Sequence, residues 1–205
     1  LVTALITTLA IANITLTMYG FKHTSHKATS TANGVGFSAN ISFNTPIYVV
    51  GPLTLVQRLV GVGVNESLIR SVSLGQLASL PNGSLVIVDW PIISPGLIIS
   101  RGGVVQVNVG SMGFRLIAFL VRRGDFIIIH GNSTEAPVIE YALASAWSEA
   151  FNTGIVAIPA PKFPNNLNYI VAYGNDKMLI IGPHTLKAAL SIANEIWTPL
   201  IMKKP

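Results

Sequence analysis

FRLIAFLVRRGDFIIIHGNS, residues 114–133, places a helix pattern, a helix stop and a strand pattern in direct succession. The first part belongs to a helix predicted over 112–124, which two arginines and Gly124 bring to an end. The run DFIIIHG (125–131) is apolar without interruption, which is typical of a strand buried on both faces. A helix that leads straight into such a strand predicts an α/β fold with a mostly parallel sheet.

The same alternation of patterns extends over residues 45–205, which we interpret as one layered α/β head domain. Within it, the stretch 67–80 stays ambiguous, and 167–182 is predicted to form a hairpin turned at Gly174-Asn175. Ser133 or Thr134 is expected to cap the clearest helix, and Gly154 to end it. The remaining predicted strands are 46–51, 83–90, 154–161 and 177–183, with an edge strand at 104–109, and the predicted helices are 52–63, 133–154 and 185–201.

The segment SLVIVDWP (84–91), taken with 114–133, resembles the glutamine-amidotransferase-like group. In that group a strand ends in Asp, a helix ends in Arg-Gly, and the turn after the next strand carries the nucleophile. The resemblance covers about 50 residues and implies a flavodoxin-like head. The turn HGNS (130–133) contains no Cys, so the resemblance does not extend to amidotransferase activity.

Charged residues make up only 10% of the chain, whereas a soluble domain usually contains roughly 25%. The net charge of +5 comes from scattered basic residues, so we predict no nucleic-acid partner. The chain has no cysteine, which excludes disulfides and thiolate chemistry and is compatible with a hot environment. The scarcity of carboxylates predicts that stability depends only weakly on acid.

Residues 1–21, LVTALITTLAIANITLTMYGF, carry no charge at all. As a helix they would span about 31 Å, which is close to the thickness of a bilayer. We therefore predict a hydrophobic helix over 1–24, followed by a Ser/Thr-rich neck over 25–44. The alternation in ITLTM (14–18) keeps a donated β-strand open as an alternative. Because the chain begins at Leu1 without a basic region, we expect processing ahead of this segment.

An uncharged N-terminal helix, a polar neck and a globular head together resemble an archaeal type IV pilin. The resemblance rests on the architecture of residues 1–40, and the Glu that bacterial pilins carry at the fifth position is here Leu5. It implies a membrane anchor before assembly and the core of an extracellular, cell-surface filament afterwards. The residues expected in that polymerisation core are Leu1, Leu5, Leu9, Asn13 and Leu16.

Polar residues also stand where the predicted strands end, which is where α/β sheets bind ligands. They are Gly51, Asp89, His130, Asn132, Ser133 and His184. A trio of Ser133, His184 and Asp89 can be drawn from them, but Ser133 lacks the G-x-S-x-G elbow of a nucleophile. We predict no catalytic residue, no metal site and no cofactor, and we interpret Asp89 as a turn or cap residue and the two histidines as loop residues.

The sequence N-x-[ST] recurs more often than the composition leads one to expect. Glycans would hydrate a surface that has few charged side chains to bind water. One sequon, at Asn13, lies in the hydrophobic segment and is not expected to be modified. The glycosylation candidates are Asn40, Asn65, Asn82 and Asn132.

These patterns predict a structural subunit of a glycosylated filament that displays its α/β head for adhesion. Its partners would be copies of itself, the membrane before assembly, and surface glycans or other cells. Two alternatives stay open. One is a membrane-anchored extracellular domain that binds or processes a small ligand near Asp89 and His130. The other is a filament joined by a donated strand over residues 12–21.

Overall fold

The computed structural model describes residues 42–101, 104–153, 167–176 and 179–197. The chain divides into the units Leu1–Ser38 and Ala39–Pro205, and the described residues belong to the second. The predictions for the N-terminal helix and most of the neck lie outside the described residues. So do the predicted strand 154–161 and the helix end at Gly154.

In chain order, the structure assigns eight strands and five α-helices to the described residues. The strands are β1 (Ile47–Val50), β2 (Ile69–Ser71), β3 (Leu85–Asp89), β4 (Ile98–Arg101), β5 (Val104–Val107), β6 (Phe126–His130), β7 (Tyr169–Gly174) and β8 (Leu179–His184). The helices are α1 (Leu53–Gly61), α2 (Trp90–Ile93), α3 (Met112–Arg122), α4 (Ala136–Phe151) and α5 (Leu186–Ile192). Two 3₁₀ helices, Glu66–Leu68 and Leu74–Ser79, flank β2, and α5 continues as a π-helix over Ala193–Trp197.

Six strands form one sheet in the order β2-β1-β3-β6-β7-β8. The first four are parallel to one another, β7 is antiparallel to β6, and β8 is antiparallel to β7. The mixed α/β class and the mostly parallel sheet predicted from the sequence are therefore confirmed. The hairpin around Gly174-Asn175 is also present, as β7 and β8.

Both faces of the sheet are covered, which explains why its central strands are apolar without interruption. Leu85 and Ile87 of β3 pack with helices α1 and α5 on one face. Val86 and Val88 of the same strand pack with α3 and α4 on the other face. Alternate residues of a strand point to opposite faces, so each central strand needs apolar residues at every position.

The strand predicted at a sheet edge over 104–109 was misplaced. Its residues form β5, which pairs with β4 in a separate antiparallel hairpin, Ile98 facing Val107. Both of these side chains pack against the core on the α3 side. An alternating pattern predicts one buried face, but it does not predict which strand will be the partner.

The ambiguous stretch 67–80 contains the short strand β2, the whole second 3₁₀ helix and the end of the first. The predicted cap of α4 was wrong, because Glu135 occupies the N-cap position and makes no side-chain capping hydrogen bond. The turn before the helix is closed by Asn132, whose side-chain oxygen accepts hydrogen bonds from the backbone N–H groups of Thr134 and Glu135. The carboxylate of Glu135 in turn accepts from the N–H of Asn132.

Candidate functional site

Four polar or aromatic residues form a row across the carboxyl-terminal end of the sheet. The strand register places Asp89 beside His130, His130 beside Tyr169, and Tyr169 beside His184. Residues that pair directly across strands project from the same face of a sheet. This face is the one covered by α1 and α5, because Tyr169 belongs to the core cluster on that side.

His130 lies at the centre of a hydrogen-bonded chain of three side chains. Its Nδ1 is 2.6 Å from Oδ1 of Asp89, and its Nε2 is 2.9 Å from Nη1 of Arg58 on helix α1. An arginine can only donate, so Nε2 accepts and the ring proton resides on Nδ1, which donates to Asp89. The imidazole therefore links the guanidinium of Arg58 to the carboxylate of Asp89.

The His130 ring is held from a further side by Tyr169. The two ring centroids are 4.9 Å apart, and the rings are tilted by 40°. The next residue, Gly131, donates its N–H to the carbonyl of Asn168, which continues the pairing of β6 with β7 beyond the strand ends. The imidazole is consequently fixed by two hydrogen bonds and an aromatic contact.

His184 closes the row on β8. Burial lowers the pKa of His184 below its usual value, so the ring is neutral at pH 7. A Cβ added to Gly182 would lie 3.6 Å from Nε2 of His184, which is an ordinary van der Waals distance, so the imidazole lies directly beside Gly182. Among the described residues, no hydrogen bond to this ring is found, which leaves its nitrogens available to a polar group.

The row adjoins the place where the chain reverses the direction in which it adds strands. From β1 the chain passes through α1 to β2 on one side, whereas from β3 it passes through α3 to β6 on the other side. Ligands of open α/β sheets bind at such a switch point, outside the carboxyl ends of the strands. Gly51 follows β1 there, and a Cβ on it would lie 3.3 Å from the Cβ of Asp89.

This arrangement can bind an anion or transfer a proton. Arg58 is exposed and uses one N–H on His130, so its guanidinium has further donors for a ligand. A planar carboxylate or a phosphate is the usual ligand of such a fork. The side chains of His130 and Asp89 are only 20% and 14% exposed, so they form the wall behind Arg58.

Sequence reasoning found part of this site. It named Gly51, Asp89 and His130, which the structure brings together. The trio of Ser133, His184 and Asp89 does not form, because Asp89 bonds to His130 and two strands separate β3 from β8. The two histidines were wrongly interpreted as loop residues, since each is the last residue of its strand.

The interpretation of Asp89 as a turn or cap residue also changes with the structure. Asp89 occupies the N-cap position of α2, but its side chain makes no capping hydrogen bond and bonds to His130 instead. Sequence reasoning missed Arg58 altogether. The available signal was that Arg58 is the only charged residue of the predicted helix 52–63.

Three of the glycosylation candidates lie on exposed turns or caps. Asn65 is exposed and caps the first 3₁₀ helix by accepting from the N–H of Ser67. Asn82 is exposed in the turn before β3, and Asn132 is exposed at the start of α4. Asn40 and the polymerisation residues Leu1, Leu5, Leu9, Asn13 and Leu16 lie outside the described residues.

Among the residues that the structure describes, no group of three or more His, Asp or Glu side chains is placed to hold a metal ion. Within the same residues, no helix combines the length and the apolar character needed to cross a bilayer.

No protein-family model, curated protein or solved structure matches this chain.

Proposed function

We propose that this chain is a subunit of an extracellular, type IV pilus-like filament, held in the membrane before assembly. The observation that carries the proposal is the 21-residue uncharged segment at positions 1–21, which precedes a polar neck. Copies of this segment would pack together as the filament core. The head would be displayed outward for adhesion to surface glycans or other cells.

The apolar segment needs a surface against which it can be buried. Apolar burial stabilises by about 25 cal/mol per Å², so a segment of this kind associates strongly with a bilayer or with its copies. The head already covers both faces of its own sheet with α1, α5, α3 and α4. A repeating contact between copies that does not close would build a helical polymer.

Electron microscopy of the native protein tests the filament proposal. Filaments are expected from the unaltered chain and should be lost in Leu9→Asp, because a carboxylate in the packed core has no partner. The matched control is Ser30→Asp, which places the same charge in the neck and should still assemble. Filaments formed by Leu9→Asp would overturn the packed core and would favour the donated strand at 12–21.

The second candidate function is binding of a small ligand by the head. The observation that favours it is the chain Arg58–His130–Asp89 at the switch point of the sheet. We propose an acidic ligand, whose carboxylate or phosphate would accept from Arg58. No step of this proposal requires covalent chemistry.

A titration of the full-length chain in detergent with simple carboxylates and phosphates tests the second candidate. Binding should weaken at least tenfold in Arg58→Gln, since a charge-assisted hydrogen bond is worth about 1.5–3 kcal/mol. The control is Arg70→Gln, which removes an exposed arginine from β2. Equal affinity in the two variants would contradict the assignment.

A further inference from the structure

Helix α3 presents a face that is both apolar and basic. Met112, Arg115, Phe119 and Arg122 follow one another at intervals of three or four residues and so lie on one side of the helix. Met112 is 77% exposed and Phe119 is 40% exposed, and Val109 just before the helix is 61% exposed. Several large apolar side chains exposed on one helix face are a feature of interaction surfaces.

The same face borders a groove of about 350 Å³ between α3 and α4. Buried Phe114 and Ala118 line it together with Val109 and Phe119, and Arg115 and Arg122 contribute its cations. Among the described residues, Glu149 of α4 is the one acidic residue that lines it. Within the described residues, neither arginine forms an ion pair, since the pairs found there are Arg123 with Asp125 and His130 with Asp89.

The ring of Phe119 on this face packs against a cation. The guanidinium of Arg123 lies 4.9 Å from the centroid of the Phe119 ring, and it is anchored by Asp125. Arg123 is thereby occupied, whereas Arg115 and Arg122 project from an exposed surface. The face therefore combines fixed apolar contacts with two available positive charges.

We propose that this face, Val109, Met112, Arg115, Phe119 and Arg122, docks on the surface of a membrane that contains anionic lipids. The apolar side chains would enter the boundary between headgroups and acyl chains, and the arginines would bind lipid phosphates. The groove has the size of a small-ligand site and would receive one headgroup. The inference rests on the membrane stage of the proposed function and adds a second, lipid-selective contact to it.

Charge complementarity favours a lipid surface over a second copy of the chain. None of the eight acidic residues stands closer than five positions to the next, so the chain itself has no acidic run to offer two arginines. A membrane with anionic lipids supplies negative charge at many adjacent positions. Attraction to such a surface is worth about 1 kcal/mol for each arginine near it.

The absence of cysteine allows a direct test with single-cysteine variants of the full chain. Met112→Cys carries an environment-sensitive fluorophore on the proposed face, and Gln57→Cys carries it on α1, which covers the opposite face of the sheet. Both labelled chains are reconstituted into nanodiscs of phosphatidylcholine, with or without phosphatidylglycerol. We expect a blue shift only at position 112 and only with phosphatidylglycerol.

Charge variants then test the two arginines. At about 1 kcal/mol each, Arg115→Gln and Arg122→Gln should lower the ratio of docked to free heads about fivefold apiece. The charge-matched control is Arg70→Gln with Lys187→Gln, which should leave that ratio unchanged. An equal loss in the control would show general electrostatic attraction and would overturn the assigned face.

The remaining outcomes separate this inference from the proposed function. A chain that elutes with the nanodiscs but shows no shift at position 112 overturns the inference and leaves the membrane stage intact. A chain that does not enter nanodiscs refutes the membrane stage. In that case, binding to phosphatidylglycerol vesicles that depends on Arg115 and Arg122 supports the face, and its absence overturns it. A shift produced by an acidic polypeptide and not by lipid overturns the lipid assignment in favour of a protein partner.

Discussion

Gly113 lies at a point where the packing of α3 leaves no room for a side chain. A Cβ added to this residue of α3 would lie 2.0 Å from the carbonyl oxygen of Ile93 and 3.2 Å from Cδ1 of Leu97. The oxygen belongs to the backbone, so it cannot move aside as a flexible side chain can. Only glycine therefore allows α3 to approach the end of α2 this closely.

We predict that Gly113→Ala lowers the free energy of unfolding by about 1–3 kcal/mol or more, the usual cost of overpacking. Denaturant titration measures the change. The control is Gly61→Ala at the end of α1, where an added Cβ meets nothing within 4 Å. That change should be neutral or slightly stabilising, because alanine has the higher helix propensity. Equal effects of the two substitutions would contradict the close approach.

Glu140 is an isolated carboxyl group inside the domain. It is 4% exposed, and no hydrogen bond to it is found among the described residues. Burial raises the pKa of Glu140 from 4.5 to about 7. The folded state therefore holds this proton more tightly than the unfolded state, and stability is greatest where both states are protonated.

Because the pKa of Glu140 is higher in the folded state than in the unfolded state, we predict that the protein loses stability as the pH rises. The contribution of Glu140 is fully present below pH 4.5 and is lost progressively until about pH 7, with a total of about 3 kcal/mol. Glu140→Gln should remove this dependence, whereas Glu66→Gln on the exposed first 3₁₀ helix should retain it. Unfolding midpoints measured between pH 4 and pH 8 test it. Parallel curves for the unaltered chain and Glu140→Gln would refute the assignment.

At the scale of elements, helix α4 is defined by its two ends. Asn132 and Glu135 bond reciprocally across the turn that leads into the helix, and Asn152 adopts a left-handed conformation, with φ of 53°, at its end. Capping side chains satisfy N–H groups that the helix itself leaves without partners. The start of α4 is therefore stabilised by the same asparagine that forms a candidate glycosylation site.

We predict that Asn132→Ala lowers the free energy of unfolding by about 1 kcal/mol, which is the usual value of a side chain that accepts from the N–H groups leading into a helix. Asn132→Asp keeps the accepting oxygen and removes the sequon, so it should retain the stability while losing any glycan. Thermal unfolding of the two variants, each compared with the unaltered chain, makes the measurement. A loss that is as large in Asn132→Asp would assign the effect to the glycan and not to the cap.

At the scale of the whole molecule, the scarcity of charge remains the feature to be explained. Only 10% of the residues are charged, and N-linked glycans would supply the missing hydration. The environments of the sequons differ. Ser67, which completes the sequon of Asn65, is exposed, whereas Ser84, which completes that of Asn82, is 6% exposed and donates to the carbonyl of Pro81.

We predict that mass spectrometry of the native protein finds Asn65 glycosylated more completely than Asn82. The modifying enzyme must reach the hydroxyl residue of the sequon. Of Ser67 and Ser84, Ser67 is the accessible one in the folded head. A synthetic peptide of each sequon serves as the unfolded control, and the two peptides should be modified to similar extents. Unmodified asparagine at positions 40, 65, 82 and 132 would end the glycan hypothesis.

Much of the fold could be predicted because local patterns define it. The runs LVIV in β3 and FIII in β6 show burial on both faces, and Gly124 shows where α3 stops. The candidate site was predictable only in part. Ligands of α/β sheets bind where strands end, and this pointed to Asp89 and His130. Arg58 reaches His130 from 72 positions away in the sequence, and no local pattern encodes that contact.

The amino-acid sequence alone determined the α/β class, most of the helices and buried strands, and the uncharged segment on which the filament proposal rests. Those features follow from periodicity and composition, which are properties of residues close together in the sequence. Only the tertiary structure decided that β5 pairs with β4, that β7 is antiparallel to β6, and that Arg58, His130 and Asp89 meet. Strand partners and site contacts join residues that are distant along the chain, so the packing of the whole domain selects them.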